Sequence, residues 1–65
     1  MKFTKWVLSK GINTVAKRLE VRPNTVQFWL YGYRTPRKMK IKKLLTMGKG
    51  SFSFEDIIKE TTRKQ

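Results

Sequence analysis

The apolar positions of this chain recur three and four residues apart, and Gly, Pro and small polar residues cut them into short stretches. That period belongs to helices burying one stripe each. Phe3, Trp6 and Val7 form the first stripe, and Gly11 follows as a C-terminal stop with the apolar Ile12 beyond it. Asn13 is placed to cap a second helix whose inner face is Val15, Ala16 and Leu19. Glu20-Val21-Arg22 breaks the period. Pro23 suits the first turn of a third helix, where its missing N–H is not needed; Val26, Trp29 and Leu30 give that helix its stripe before Gly32. Thr35-Pro36 repeats the start signal for a fourth helix, with Met39, Ile41, Leu44, Leu45 and Met47 ahead of Gly48. Gly48-Lys49-Gly50-Ser51 reads as a loop. Ser53 opens a fifth helix: Asp56 completes a capping box, Phe52 and Ile57 have staple spacing, and Phe54, Ile57 and Ile58 supply the inner face. No internal repeat or strand-like alternation interrupts the series. The expected fold is all-α, a small bundle of four to five short helices, with residues 1–62 as a single domain and 63–65 as a short polar tail.

The second and third helices, joined by a turn of three or four residues, have the outline of a helix-turn-helix. Val15 to Gly32, VAKRLEVRPNTVQFWLYG, fits its requirements. Ala16 is small where the helices cross, Val15, Leu19 and Val21 fill the space beneath the turn, and Val26, Trp29 and Leu30 anchor the second helix on the first. The stretch resembles the helix-turn-helix of phage Cro and repressor proteins, most strongly over residues 12–32 and more loosely over 33–58. The whole chain is similar to a small Cro, with one helix before the motif and one or two after it. Two positions depart from the family's pattern. Glu20 stands where the turn usually has Gly, so the turn is expected to carry backbone strain or a changed shape. Ile12 stands where a polar residue usually touches a phosphate, which leaves that role to Asn13 and Thr14 at the helix N-terminus.

The resemblance implies a sequence-specific double-stranded DNA-binding protein, a transcriptional repressor that places residues 23–31 in the major groove. Around that helix Val26, Trp29 and Leu30 cluster on one side, while Asn24, Gln27, Phe28 and Tyr31 fall on the other and Thr25 lies at the flank. By resemblance the base readers are Arg22, Asn24, Thr25, Gln27 and Phe28. Their chemistry suits A·T pairs, since Asn and Gln bond adenine N6 and N7 and Phe packs on a thymine methyl, whereas Arg22 suits guanine. Phe28 has a second reading, as a residue packed under the C-terminal helix or in a dimer contact, and Asn24 and Gln27 as plain solvated surface. Phosphate contacts are expected from Asn13, Thr14, Lys17, Arg18, Tyr31, Arg34, Thr35, Arg37 and Lys38. Cro proteins commonly bind two-fold operators as dimers, so the resemblance implies a homodimer at least on DNA; the helix from Phe54 to Thr62, or the Phe52–Phe54 edge, offers its surface.

Charge supports the same partner. The 65 residues include 16 Lys or Arg and 4 Asp or Glu, a net charge of +12, and residues 1–54 hold 13 basic side chains against the single acid Glu20. Six cations crowd Arg34 to Lys43, a run suited to phosphate clamping. Composition excludes more than it selects. With no Cys and no His, the chain lacks disulfides, thiolate metal sites and the usual nucleophile–base pairs, and it is not expected to be an enzyme. A metal would have to be held by Glu20, Glu55, Asp56 and Glu60, three of which are taken by a helix start and its exposed face; no metal, no cofactor and no small-molecule ligand are expected. The longest apolar run near the N-terminus is Trp6-Val7-Leu8, far short of a signal or a membrane span, so no membrane association and a cytoplasmic location (bacterial nucleoid or phage-infected cell) are expected. Two rivals use the same charge: a basic phage or host factor that binds RNA or RNA polymerase, and a membrane-active peptide. The latter needs one long amphipathic helix, which four Gly and two Pro disallow here. A folded bundle predicts cooperative thermal unfolding in plain buffer without lipid; circular dichroism that shows helix only when anionic vesicles are added contradicts it.

Overall fold

In the computed structural model of the chain, which describes residues 1–64, five helices form one bundle: α1 (Lys2–Lys10), α2 (Ile12–Leu19), α3 (Pro23–Tyr31), α4 (Lys38–Gly48) and α5 (Phe54–Thr61). No strand occurs among the described residues. α2 and α5 are the central pair, and each packs against α1, α3 and α4. Phe3, Val7, Val15, Leu19, Val26, Leu44 and Ile57 are fully buried between them. Trp6, Trp29 and Phe52 close the core, with the Phe52 ring 5.2 Å from Phe3 and 5.0 Å from Trp6. That ring packs directly over Gly48, at a place where any Cβ would collide with it.

Three boundaries differ from the periodic reading. The N-cap of α2 is Gly11 and not Asn13, because the Gly11 carbonyl already accepts the Val15 N–H and so draws Asn13 into the first turn. Gly11, at φ 96°, thereby ends one helix and begins the next. The N-cap of α4 is Arg37 and not Thr35: Pro36 disfavours a helical residue before it and is itself buried, so Thr35-Pro36 belongs to the extended connection from α3. Phe54, expected on an inner face, is exposed, and so is Met39 of the fourth helix. Met39 lies opposite the stripe formed by Ile41 and Leu44 in α4, whereas Phe54 shares the side of Ile57 and Thr61 but is the first residue of α5, at the open end of that stripe. The fifth helix start is otherwise as expected. Ser53 N–H donates to Asp56 Oδ2 at 2.8 Å, Asp56 N–H donates to Ser53 Oγ at 3.2 Å, and the staple residues Phe52 and Ile57 are both buried.

Glu60 is the largest surprise. It is buried, not on an exposed helix face, and its carboxylate accepts the N–H of Phe3 at 3.1 Å and of Thr4 at 2.8 Å, together with the Thr4 hydroxyl at 2.7 Å. α1 has no side-chain cap of its own, since its N-cap is Met1. A carboxylate 56 and 57 residues away therefore satisfies its first-turn donors and meets the positive end of its dipole. The C-terminal residues continue the closure. The Arg63 guanidinium donates to the Leu30 carbonyl and to the Met1 sulfur, and Lys64 N–H donates to the Gly32 carbonyl at 2.9 Å, so Arg63 and Lys64 lie against the end of α3. The remaining position of the expected tail, Gln65, lies outside the described residues.

Two consequences concern stability. Glu20 adopts φ 58°, ψ 42°, the left-handed region that glycine favours. Set against glycine's greater unfolded-state freedom, Glu20→Gly should stabilise the fold by about 0.5–1 kcal/mol and raise the melting temperature by several degrees, as measured by thermal denaturation. The second concerns Asp56, whose pKa is held below its ordinary value first by the Ser53 backbone N–H, with further help from the Ser53 hydroxyl and from Lys2 and Lys59. A carboxyl lowered on folding stabilises above the ordinary aspartate range and loses that contribution as the pH falls from there through its lowered value. Asp56→Asn should therefore lower the melting temperature at neutral pH, and the gap from the parent chain should narrow on acidification below about pH 4. A gap that stays constant with pH contradicts this role.

Candidate nucleic-acid interface

The segment from α2 to α3 turns within three residues, and its hydrogen bonds follow from where the chain must reverse. Glu20 N–H donates to the Lys17 carbonyl at 3.2 Å and Val21 N–H to the Ala16 carbonyl at 2.9 Å, the paired bonds of a Schellman end. Val21 packs against the core beneath the turn. Lys40, from α4, adds its ammonium to the Leu19 carbonyl at 2.6 Å, where a cation meets the negative end of the α2 dipole. Ala16 is fully buried at this junction. α3 ends in the same way, with Gly32 at φ 82° and with Tyr33 and Gly32 N–H groups donating to the Phe28 and Trp29 carbonyls at 3.0 and 3.1 Å. The helix pair α2–α3 is thus clamped at both ends of α3.

Burial then divides α3. Val26, Trp29 and Leu30 are buried. Asn24, Phe28 and Tyr31 are exposed and form the centre of the outward face, with Arg22 exposed at its start. Thr25 and Gln27 are half-buried and mark its two flanks, so Gln27 sits less centrally than the helical repeat alone implies. Phe28 is 41% exposed and lies beneath the Arg34 guanidinium, whose carbon is 5.6 Å from the ring centroid. Tyr31 and Tyr33 meet edge to face at 6.2 Å, both more than half exposed. The outward face of α3 is therefore an aromatic and amide surface edged by a cation.

The expected phosphate-contacting residues fall into three groups. Asn13 and Lys17 are exposed on one flank of α2. Thr14 and Arg18 are exposed on the other, where they line a cleft with Trp6, Lys10 and Met47. Arg34, Arg37 and Thr35 come together with Lys40 around an open crevice of about 370 Å³ between the Thr25–Trp29 edge of α3 and the start of α4. Lys38 is exposed in the first turn of α4. Lys42 and Lys43, from the same basic run, do not join this crevice. Together with Thr46 and Met47 of the same helix, they face Arg18 of α2 across the groove between α2 and α4.

The helix N-termini differ in a way that bears on anions. α1 and α5 are capped by the carboxylates of Glu60 and Asp56, whereas α2, α3 and α4 have no side-chain cap and no acidic residue in the first turn. Sequence reasoning found the polar face of α3 and the cations around it but missed three residues that hold them in place: Glu60, Lys40 and Arg63. Only Glu60 had a readable signal, because it falls three residues after Ile57, on the buried side of α5. No group of three or more acidic side chains is placed to hold a metal ion, and no helix is long and apolar enough to cross a membrane, among the described residues. Comparison with family models, with curated proteins and with solved structures returned no match.

Proposed function

We propose that the chain is a sequence-specific DNA-binding protein of the helix-turn-helix type, a Cro-like repressor that sets α3 into the major groove of an operator. The observation that carries this reading is the polarity of α3 within its surroundings. Its outward face presents Asn24, Phe28 and Tyr31, it is clamped at both ends, and it is bordered by helix ends lacking any acidic cap. A major groove admits one helix, whose first turns reach base edges, and uncapped N-termini with nearby Lys and Arg suit phosphate oxygens.

In this reading Asn24 is the central base reader, Arg22 and Gln27 reach from the start and flank, and Phe28 packs on a thymine methyl while Arg34 above it meets the backbone. Thr25 contacts the adjoining edge. Asn13, Lys17, Tyr31, Arg37 and Lys38 with Thr35 hold phosphates; Thr14 and Arg18, on the far flank of α2, contribute through field more than through contact. Two copies on a two-fold operator would place their α3 helices about 34 Å apart. Phe52 is buried and drops out of a pairing surface, which leaves the exposed side of α5. The site of action is the cytoplasm, at the bacterial nucleoid or in a phage-infected cell, and repression follows from occupying a promoter.

A second reading, binding of RNA, is favoured by one observation: Phe28, Tyr31 and Tyr33 are exposed aromatics within six residues, a surface on which unpaired bases could stack. Competition between duplex DNA and structured RNA separates the two.

Two substitutions test the roles. Asn24→Ala should change which sequences bind, costing about 1–3 kcal/mol at one base pair, with little change in salt dependence. Arg37→Ala should weaken all sequences alike and lower the slope of log K against log salt by about one unit. Equal, sequence-independent losses from both variants contradict the division between readers and clamps.

A further inference from the structure

Four cations gather around a hollow to which α3 contributes nothing. The groove between α2 and α4, about 530 Å³ and open to solvent, is rimmed by Arg18, Lys42 and Lys43. Through Arg18 and Met47 it runs into the cleft beside Trp6, where Lys10 adds the fourth. All four are exposed, and among the described residues no carboxylate is paired with any of them or lines either hollow. Like charges so placed repel one another, and a polyanion seated among them relieves that repulsion. Direction matters as much as charge. Thr14 and Arg18 lie about 100° further round α2 than Asn13 and Lys17, and the groove shares no residue with the basic crevice beside α3. A duplex met by α3, by Lys17 and by that crevice therefore leaves these four cations unused.

We propose that the α2–α4 groove is a second binding surface for the sugar–phosphate backbone of a duplex, separate from α3. It holds phosphate and reads no bases. Its lining favours nucleic acid over other polyanions. An acidic amphipathic helix needs a groove with an apolar floor, and an anionic membrane needs exposed apolar side chains to take up. The groove offers only the half-buried Met47, and none of the large apolar side chains that the bundle exposes lines it. A phosphate backbone asks for charge and access alone, and both are present. With α3 on one duplex and the groove on another, a single copy joins two duplex segments. That joining rests on the DNA-binding reading of α3, whereas the groove itself does not.

The test titrates the labelled full chain with a mixed-sequence duplex of about ten base pairs at about 0.05 M salt and follows its amide shifts. Residues 14–18 and 42–47 should shift as one group, saturating at a different duplex concentration from residues 22–31. Lys42→Gln with Lys43→Gln should weaken binding at the first group on the order of tenfold and leave the second as in the parent. The charge-matched control, Lys2→Gln with Lys5→Gln on the exposed side of α1, should not separate the two groups. Shifts confined to 22–31 and the crevice overturn the proposal. So does an equal loss in both double variants, the pattern of a general field, or tighter binding of poly-glutamate than of duplex at the groove. Shifts at 14–18 and 42–47 with none at 22–31 support the groove and sink the DNA reading of α3 alone. A capture experiment reads the joining directly. Chain held on an immobilised duplex should retain a labelled second duplex, and the Lys42→Gln, Lys43→Gln chain should release it. No retention by the parent overturns the joining, as does retention unchanged in that variant, which would mean that paired copies hold the two duplexes through two α3 faces.

Discussion

The bundle closes on one carboxylate. Residues 1–54 carry thirteen cations and one acid, and the first turn of α1 has no cap of its own. Glu60 supplies the missing acceptor for Phe3 and Thr4 from the last helix, and burying a charge there is tolerable because three donors meet it. α5 is thereby fixed against α1, and Ile57 and Thr61 on the same side of α5 fill the core. One turn further on, Arg63 and Lys64 bond the carbonyls at the end of α3. The C-terminal segment thus connects the start of the first helix to the end of the helix proposed to read DNA. In a domain that buries only about 60% of its unfolded surface, such end-to-end polar contacts matter more than they would in a larger core.

The turn before α3 shows the opposing demand. Glu20 stands in a left-handed conformation, yet the hydrogen bonds of the turn are those a glycine would allow, with Val21 packed below and Lys40 on the last carbonyl of α2. The geometry is kept and the strain is accepted. What the turn secures is the exposure of Asn24, Phe28 and Tyr31 while Val26 and Trp29 stay inside. Carboxylates cap the helices away from this face, and none caps those bordering it. Of the four acids, Glu60 and Asp56 cap helices and Glu55 lies exposed on α5, which leaves Glu20 as the one acid beside the proposed interface.

Much of this was legible in the residues. The stripes of α1, α2 and α3 are strict in their spacing, and Ser53 with Asp56 is a local signal that needs no tertiary context. The starts of α2 and α4 differ from what the capping residues imply because capping preferences compete with the chain's route. Gly11 serves two helices at once, and Pro36 is drawn into the core as part of a connection. Phe54 counts as an inner residue by its spacing from Ile57, yet as the first residue of α5 it sits at the open end of the stripe and is exposed. At the candidate interface, the alternation of α3 between core and surface was readable, but the half-burial of Gln27 depends on neighbouring helices. The roles of Lys40 and Arg63 are long-range contacts to backbone carbonyls, which leave no mark in spacing or composition. The separation of Arg18, Lys42 and Lys43 from the other cations follows from α4 lying along α2, and sequence shows only that all of them are basic.

The central claim is that the outward face of α3 reads bases while the surrounding cations hold phosphate. A binding selection from a random duplex pool at about 0.15 M salt, where non-specific phosphate binding is already weakened, tests it most directly. The account predicts enrichment of a defined site containing A·T pairs, arranged as two half-sites. Retention of duplex with no enriched sequence, or enrichment of G·C-rich sites alone, would contradict it.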